Sequence, residues 1–150
     1  MHSRLAEKAR ELGFIGIGFS VPRTPLFFDQ FTAWISGGKH ADMSWLERNV
    51  HIRENPSILL PGCYTIISLA FPYSSQKPGT PDSLCDSRYS EPDKEDYHRR
   101  IKRLCKKLAV TIQEVHKEAA VRICVDSAPI LERSLAYASG SVLDILLNLS

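Results

Sequence analysis

No two of the four cysteines, Cys63, Cys85, Cys105 and Cys124, lie within four residues of one another. That spacing excludes the CxxC clips of zinc and redox sites and the tight runs that hold iron–sulfur clusters. His40, His51 and His98 are too scattered to form a metal site by local spacing. The chain also lacks GxSxG, HExxH, P-loop and GxGxxG motifs, and Gly13, Gly16 and Gly18 do not satisfy the dinucleotide-binding pattern. No apolar run approaches the ~20 residues that span a bilayer, so no membrane role is expected. Arg4 and Glu7 place charge where a secretory leader needs its apolar stretch. Excess charge of one sign is missing too. A formal net charge of +2 is too mild to announce a nucleic-acid binder. These absences lead us to expect a reduced, cytoplasmic, soluble protein, in which two cysteines in apolar strand-like stretches and one on an apolar helix face act as small hydrophobes.

What is present fits one domain. The 150 residues, 43% hydrophobic and 24% charged, resemble an ordinary globular chain. Leu5, Ala9 and Leu12 recur at helical spacing, and Gly13 stands where that helix would stop. Residues 14–19 (FIGIGF) read as a buried strand whose glycines let another backbone approach. Thr24-Pro25 starts a helix carrying the stripe Phe27, Phe31, Trp34 and Ile35, ended by Gly37-Gly38, and residues 43–48 read as a further short helix. Residues 64–71 (YTIISLAF) fit a central strand. Residues 72–94, rich in proline and serine, have loop composition, as either a surface excursion or a lid.

The strongest helical pattern follows. Ile101, Leu104, Cys105, Leu108, Ile112 and Val115 occupy one face, and Arg99, Arg100, Lys102, Arg103, Lys106 and Lys107 the other. Residues 121–125 (VRICV) read as another strand, and Pro129 opens a helix through about Ala138. The order predicts an α/β (α+β) domain, with a small central sheet covered by helices.

Among candidate chemical groups Asp126 stands out, because it follows an apolar segment at a turn into a helix, where α/β proteins place ligands. Two readings compete. Asp126 or Ser127 could cap the helix that follows. Alternatively, Asp126 is a half-buried carboxyl whose desolvation favours the proton-donating form. Arg48 gains importance only if something anionic or amide-rich lies nearby. The basic helix face is either solvated surface or a dock for RNA phosphates.

Taken together, several segments resemble the N-terminal domain of epoxyqueuosine reductases. They occur in family order between about Leu5 and Gly140. Glu11-Leu12-Gly13-Phe14 is followed by His40-Ala41-Asp42-Met43 with Trp45 and Arg48, then by Arg53-Glu54-Asn55-Pro56 and Leu60-Pro61-Gly62. Ser87-Arg88-Tyr89, Asp96-Tyr97-His98 and residues 125–133 (VDSAPILER) complete the series.

The resemblance implies cobalamin, bound base-off between this domain and the segment that follows. It also implies two iron–sulfur clusters that deliver electrons, and a tRNA whose epoxyqueuosine is reduced to queuosine. By matching motif, Asp126 corresponds to the proton donor and Arg48 to a cofactor contact; Tyr89, Tyr97, His98 and Ser127 are further candidates for the cofactor or substrate pocket.

Two departures accompany the likeness. Residues 90–95 (SEPDKE) replace a shorter glycine-containing link, which weakens Tyr89 more than Asp126. The segment 141–150 matches nothing in the family and places six aliphatic residues within eight positions, and this chain holds no cluster ligands. The expected organisation is a cobalamin-binding-like domain over 1–140 and a divergent apolar tail over 141–150. Such a chain is expected to be a truncated gene product, incompetent for turnover alone, or the partner of a separate iron–sulfur half. A non-enzymatic remnant that binds tRNA or a partner is the alternative. Reductive dehalogenases share related architecture, but the motif spacing favours the tRNA enzyme.

Overall fold

A computed structural model describes residues 2–72 and 95–140. Helix α1 (His2–Glu11) ends where Gly13, at φ +91°, turns the chain back. The Gly13 and Phe14 N–H groups donate to the carbonyls of Arg10 and Ala9, a paired C-terminal cap that only a left-handed residue permits. The turn delivers Phe14 into the core beside Ala9, and the chain continues into β1 (Gly16–Ser20).

Helix α2 (Phe28–Ser36) begins three residues after Pro25, and the expected helix over 43–48 is a single 3-10 turn at Ser44–Leu46. Two elements that the sequence patterns did not reveal follow: α3 (Val50–Glu54) and a 3-10 turn at Pro56–Leu59. Strand β2 (Ile66–Ala70) pairs antiparallel with β1 in the register Ile17↔Leu69 and Phe19↔Ile67. Helix α4 (Tyr97–Val115) starts on an Asp96 cap whose side chain accepts from the His98 N–H, and α5 (Glu132–Ala138) is the last described element.

The two faces of this small sheet differ in side-chain size. Ile17, Phe19, Ile67, Leu69 and Phe71 alternate onto one face and meet Leu5, Ala9, Phe14 and Leu108 from α1 and α4. The other face carries Gly16, Gly18, Ser68 and Ala70, with the Ser20–Ile66 pair at one end, and α5 lies on both strands there. At Gly18 the approach is close: a Cβ would sit 2.8 Å from the Ser139 carbonyl oxygen. The expected close backbone approach at the strand glycines is realised there.

The mixed helix and sheet architecture agrees with expectation, but residues 121–125 do not form the expected third strand. They run without ladder pairing, Val121 is exposed, and only Val125 at the end is buried. Apolar, β-branched composition records a preference for burial; it does not supply a neighbouring strand edge. Residues 73–94, with Tyr89, and 141–150 lie outside the described residues.

Candidate functional site

The site forms where α5 returns the chain toward α2 and α3. Residues 126–131 run as a turn, and α5 starts at Glu132, later than Pro129 suggested. Two tight three-residue turns delay it: the Ser127 N–H donates to the Val125 carbonyl at 2.6 Å, and the Ile130 N–H to the Ala128 carbonyl at 2.8 Å. Leu131, not Asp126 or Ser127, occupies the cap position, with no side-chain cap bond. The capping reading is therefore corrected. Asp126 instead sits at the centre of the first turn with φ +51°, a left-handed conformation that costs a non-glycine residue roughly 1–2 kcal/mol.

This turn forms one wall of a cleft of about 410 Å³, lined by Asp126, Ser127 and the residues to Leu131. Phe31 of α2, Trp45, Arg48, Asn49 and Arg53 also line it. Asn49 is a second left-handed residue on the cleft, at φ +60°. Arg53 holds that turn in place. It is 7% exposed, donates to the Arg48 carbonyl, and places its guanidinium 5.5 Å from the Phe31 ring centroid. Burial lowers its proton affinity below the ordinary arginine value.

The Tyr97 hydroxyl donates to Asp126 Oδ2 at 2.6 Å, and His98 Nε2 lies 3.6 Å from the same oxygen. Asp96 orders this pair from the helix start. Its carboxylate accepts from the His98 backbone N–H at 2.8 Å and approaches His98 Nδ1 at 3.0 Å. Those hydrogen bonds hold Asp96 below the usual carboxylate range.

A fourth group completes the cluster. Glu132 Oε1 accepts from the Asp126 backbone N–H at 3.0 Å. Burial, reinforced by the Asp126 charge, pushes Glu132 above the usual glutamate range. The Asp126 carboxyl is half-buried, its side chain 51% exposed. The shielded carboxyl is its neighbour.

The structure therefore gathers Asp126, Ser127 and Arg48 on one cleft and brings Tyr97 and His98 to Asp126. Sequence reasoning gave no role to Glu132 or Arg53. Both lie within motifs already quoted, but an acid in the first turn of a helix reads as a complement to the helix dipole. Nothing local marks Arg53 as buried. Among the described residues no group of three or more His, Cys, Asp or Glu side chains could hold a metal ion.

Comparison with known proteins bears on the same residues. The family described as "Epoxyqueuosine reductase QueG, DUF1730" matches residues 53–127, half of the chain. The chain belongs to this family. Its relatives include the epoxyqueuosine reductases of Aliivibrio fischeri, 36% identical over 138 residues, and Vibrio cholerae, 33% identical over 144 residues. These matches cover 88% and 92% of this chain but 37% and 38% of the relatives. The chain thus spans under two-fifths of their length.

Solved structures share the fold. An epoxyqueuosine reductase in complex with an epoxyqueuosine-modified tRNA stem loop superposes with a TM-score of 0.71 at 24% identity, over 90% of this chain and 36% of that one. The enzyme from Bacillus subtilis, whose catalytic aspartate loop is swung out of its active site, gives 0.75 at 23% identity, over 93% and 37%.

Proposed function

We propose that this chain is the N-terminal, cofactor-facing part of an epoxyqueuosine reductase, with Asp126 as the acid that protonates the departing epoxide oxygen. The observation that carries this reading is the convergence of Tyr97 and His98 on Asp126 Oδ2 at the edge of the cleft. Reducing an epoxide to an alkene consumes two electrons and two protons and releases the oxygen as water. Without protonation that oxygen would have to leave as a poor, strongly basic anion. A carboxyl shielded from water by bound substrate and cofactor favours its neutral, proton-donating form.

The residues present fit one face of a cobalamin. Phe31, Trp45, Pro129 and Leu131 offer apolar surface to a flat ring, while Arg48 and Asn49 offer polar groups to an amide-bearing rim. Bound there, cobalamin would supply the reducing electrons, refilled from iron–sulfur clusters on the remainder of the protein or on a separate polypeptide. This chain's residues orient and exclude. Arg53 fixes the Arg48–Asn49 turn, Tyr97 and His98 hold the Asp126 carboxyl, and residues 127–131 wall the cleft.

The partner is tRNA, in a cytoplasmic setting. Arg99, Lys106 and Lys107 are exposed on α4, the helix that carries Tyr97 and His98, and provide phosphate-seeking charge there, while Arg103 is paired with Glu95 at 2.7 Å.

Titration of the purified chain with cob(II)alamin, followed by absorbance, tests cofactor capture. Saturable binding that weakens at least tenfold in Arg48→Ala is expected. No saturable binding overturns the assignment of this cleft.

A further inference from the structure

The Tyr97 hydroxyl engages Asp126 Oδ2, a bond that orients the carboxyl and leaves the Asp126 backbone N–H to another partner. The Asp126 N–H points away from the Val125–Ser127 turn bond and donates to Glu132 Oε1, six residues on and the first residue of α5. Helix α5 is itself well anchored. Leu135 and Ser134 are 4% and 3% exposed, Ser134 Oγ accepts from the Phe27 N–H at 3.1 Å, and Ser139 lies against Gly18. A fixed helix thus offers one carboxylate back to a strained turn.

We propose that Glu132 is a positioning residue, a latch that holds the Asp126 turn against the cleft and keeps the Asp126 carboxyl within reach of Tyr97. The functional meaning of the latch rests on Asp126 being the acid; its existence does not.

The charged form of Glu132 is the stronger acceptor, and the groups facing it act on that form in opposite directions. Burial and the Asp126 side chain oppose ionisation, the Asp126 N–H bond and His98 favour it, and Cys124, itself pushed up by burial, lies close enough to feel the Glu132 charge. Acidification through the raised Glu132 range therefore loosens the turn.

The test is amide NMR on the whole chain, with neither cofactor nor substrate. In the unsubstituted protein the Asp126 amide proton should shift with a titration midpoint above the ordinary glutamate range. Glu132→Gln should remove that component, and Glu132→Ala should speed hydrogen exchange at the Asp126 amide at least tenfold with Leu108 protection unchanged. An Asp126 amide that titrates identically in Glu132→Gln overturns the latch. So does unchanged exchange in a folded Glu132→Ala. If the alanine variant does not fold, the glutamine titration decides alone. Asp126→Asn keeps the backbone N–H and should leave its exchange protection intact, so failure of the latch and failure of the acid assignment are read separately.

Discussion

Tyr97 and Asp126, twenty-nine residues apart in sequence, meet through a 2.6 Å hydrogen bond at the edge of the cleft. One comes from the first turn of a long helix, the other from a strained turn ahead of a short one. Their meeting ties the orientation of an exposed carboxyl to a helix that the core holds rigidly.

In a full-length relative, replacing the aspartate matched to Asp126 by asparagine should cut deoxygenation of an epoxyqueuosine stem loop by about 10²–10⁴-fold. Cofactor binding should persist. Phenylalanine in place of the tyrosine matched to Tyr97 should cost less, about tenfold, because it removes one orienting bond and leaves the acid. Single-turnover rates measured alongside cofactor absorbance check both.

Glu132→Gln should change how stability depends on pH. A glutamate raised in the folded state binds protons more tightly there than in the unfolded chain, so folding is favoured at low pH. That contribution is lost as pH rises from the ordinary glutamate range through the raised one. The variant should therefore be more stable than the unsubstituted protein at pH 7 and should lose this advantage as pH falls to the ordinary glutamate range. Urea midpoints across pH 4–8 check the sign.

Gly18→Ala should destabilise the domain by roughly 1–3 kcal/mol, since the added methyl meets Ser139 backbone that cannot swing away. Gly16→Ala serves as the comparison on the same strand face. Thermal melts of the two variants separate overpacking from a general strand effect.

Arg53→Ala should cost about 2 kcal/mol, from loss of a charged donor to the Arg48 carbonyl and of packing on Phe31. It should also weaken cob(II)alamin capture even though Arg48 itself is retained. Arg53→Lys should recover part of the stability and less of the binding, because an ammonium cannot both donate to the carbonyl and lay a planar cation over the ring.

Charge reversal at Arg99, Lys106 and Lys107 should weaken tRNA binding at low salt and flatten its salt dependence, while leaving cofactor capture unchanged. Affinities measured across a salt series check this. Identical slopes would remove α4 from the RNA-facing surface.

Much of this was legible in the residues. The stop at Gly13 and the amphipathic α4 follow from local spacing, and family likeness named Tyr97, His98 and Asp126 as pocket candidates, though not that the first two meet on the Asp126 carboxyl. The failures have physical causes. Residues 121–125 have strand composition but lack ladder pairing, and pairing is a non-local property. Pro129 is compatible with a helix start, yet the Ala128–Ile130 turn bond defers the helix to Glu132. The shielded carboxyl could not be told from the exposed one by sequence, because both follow the same apolar segment and only the packing of α5 separates them.

The glycine-sized face of the sheet has a consequence well away from the strands. Because α5 rests on it, the height of that helix above the backbone sets where residues 126–132 can reach. Bulk introduced beneath the helix would lift the Asp126 turn away from the cleft, so the far side of a two-stranded ribbon helps calibrate where that carboxyl sits.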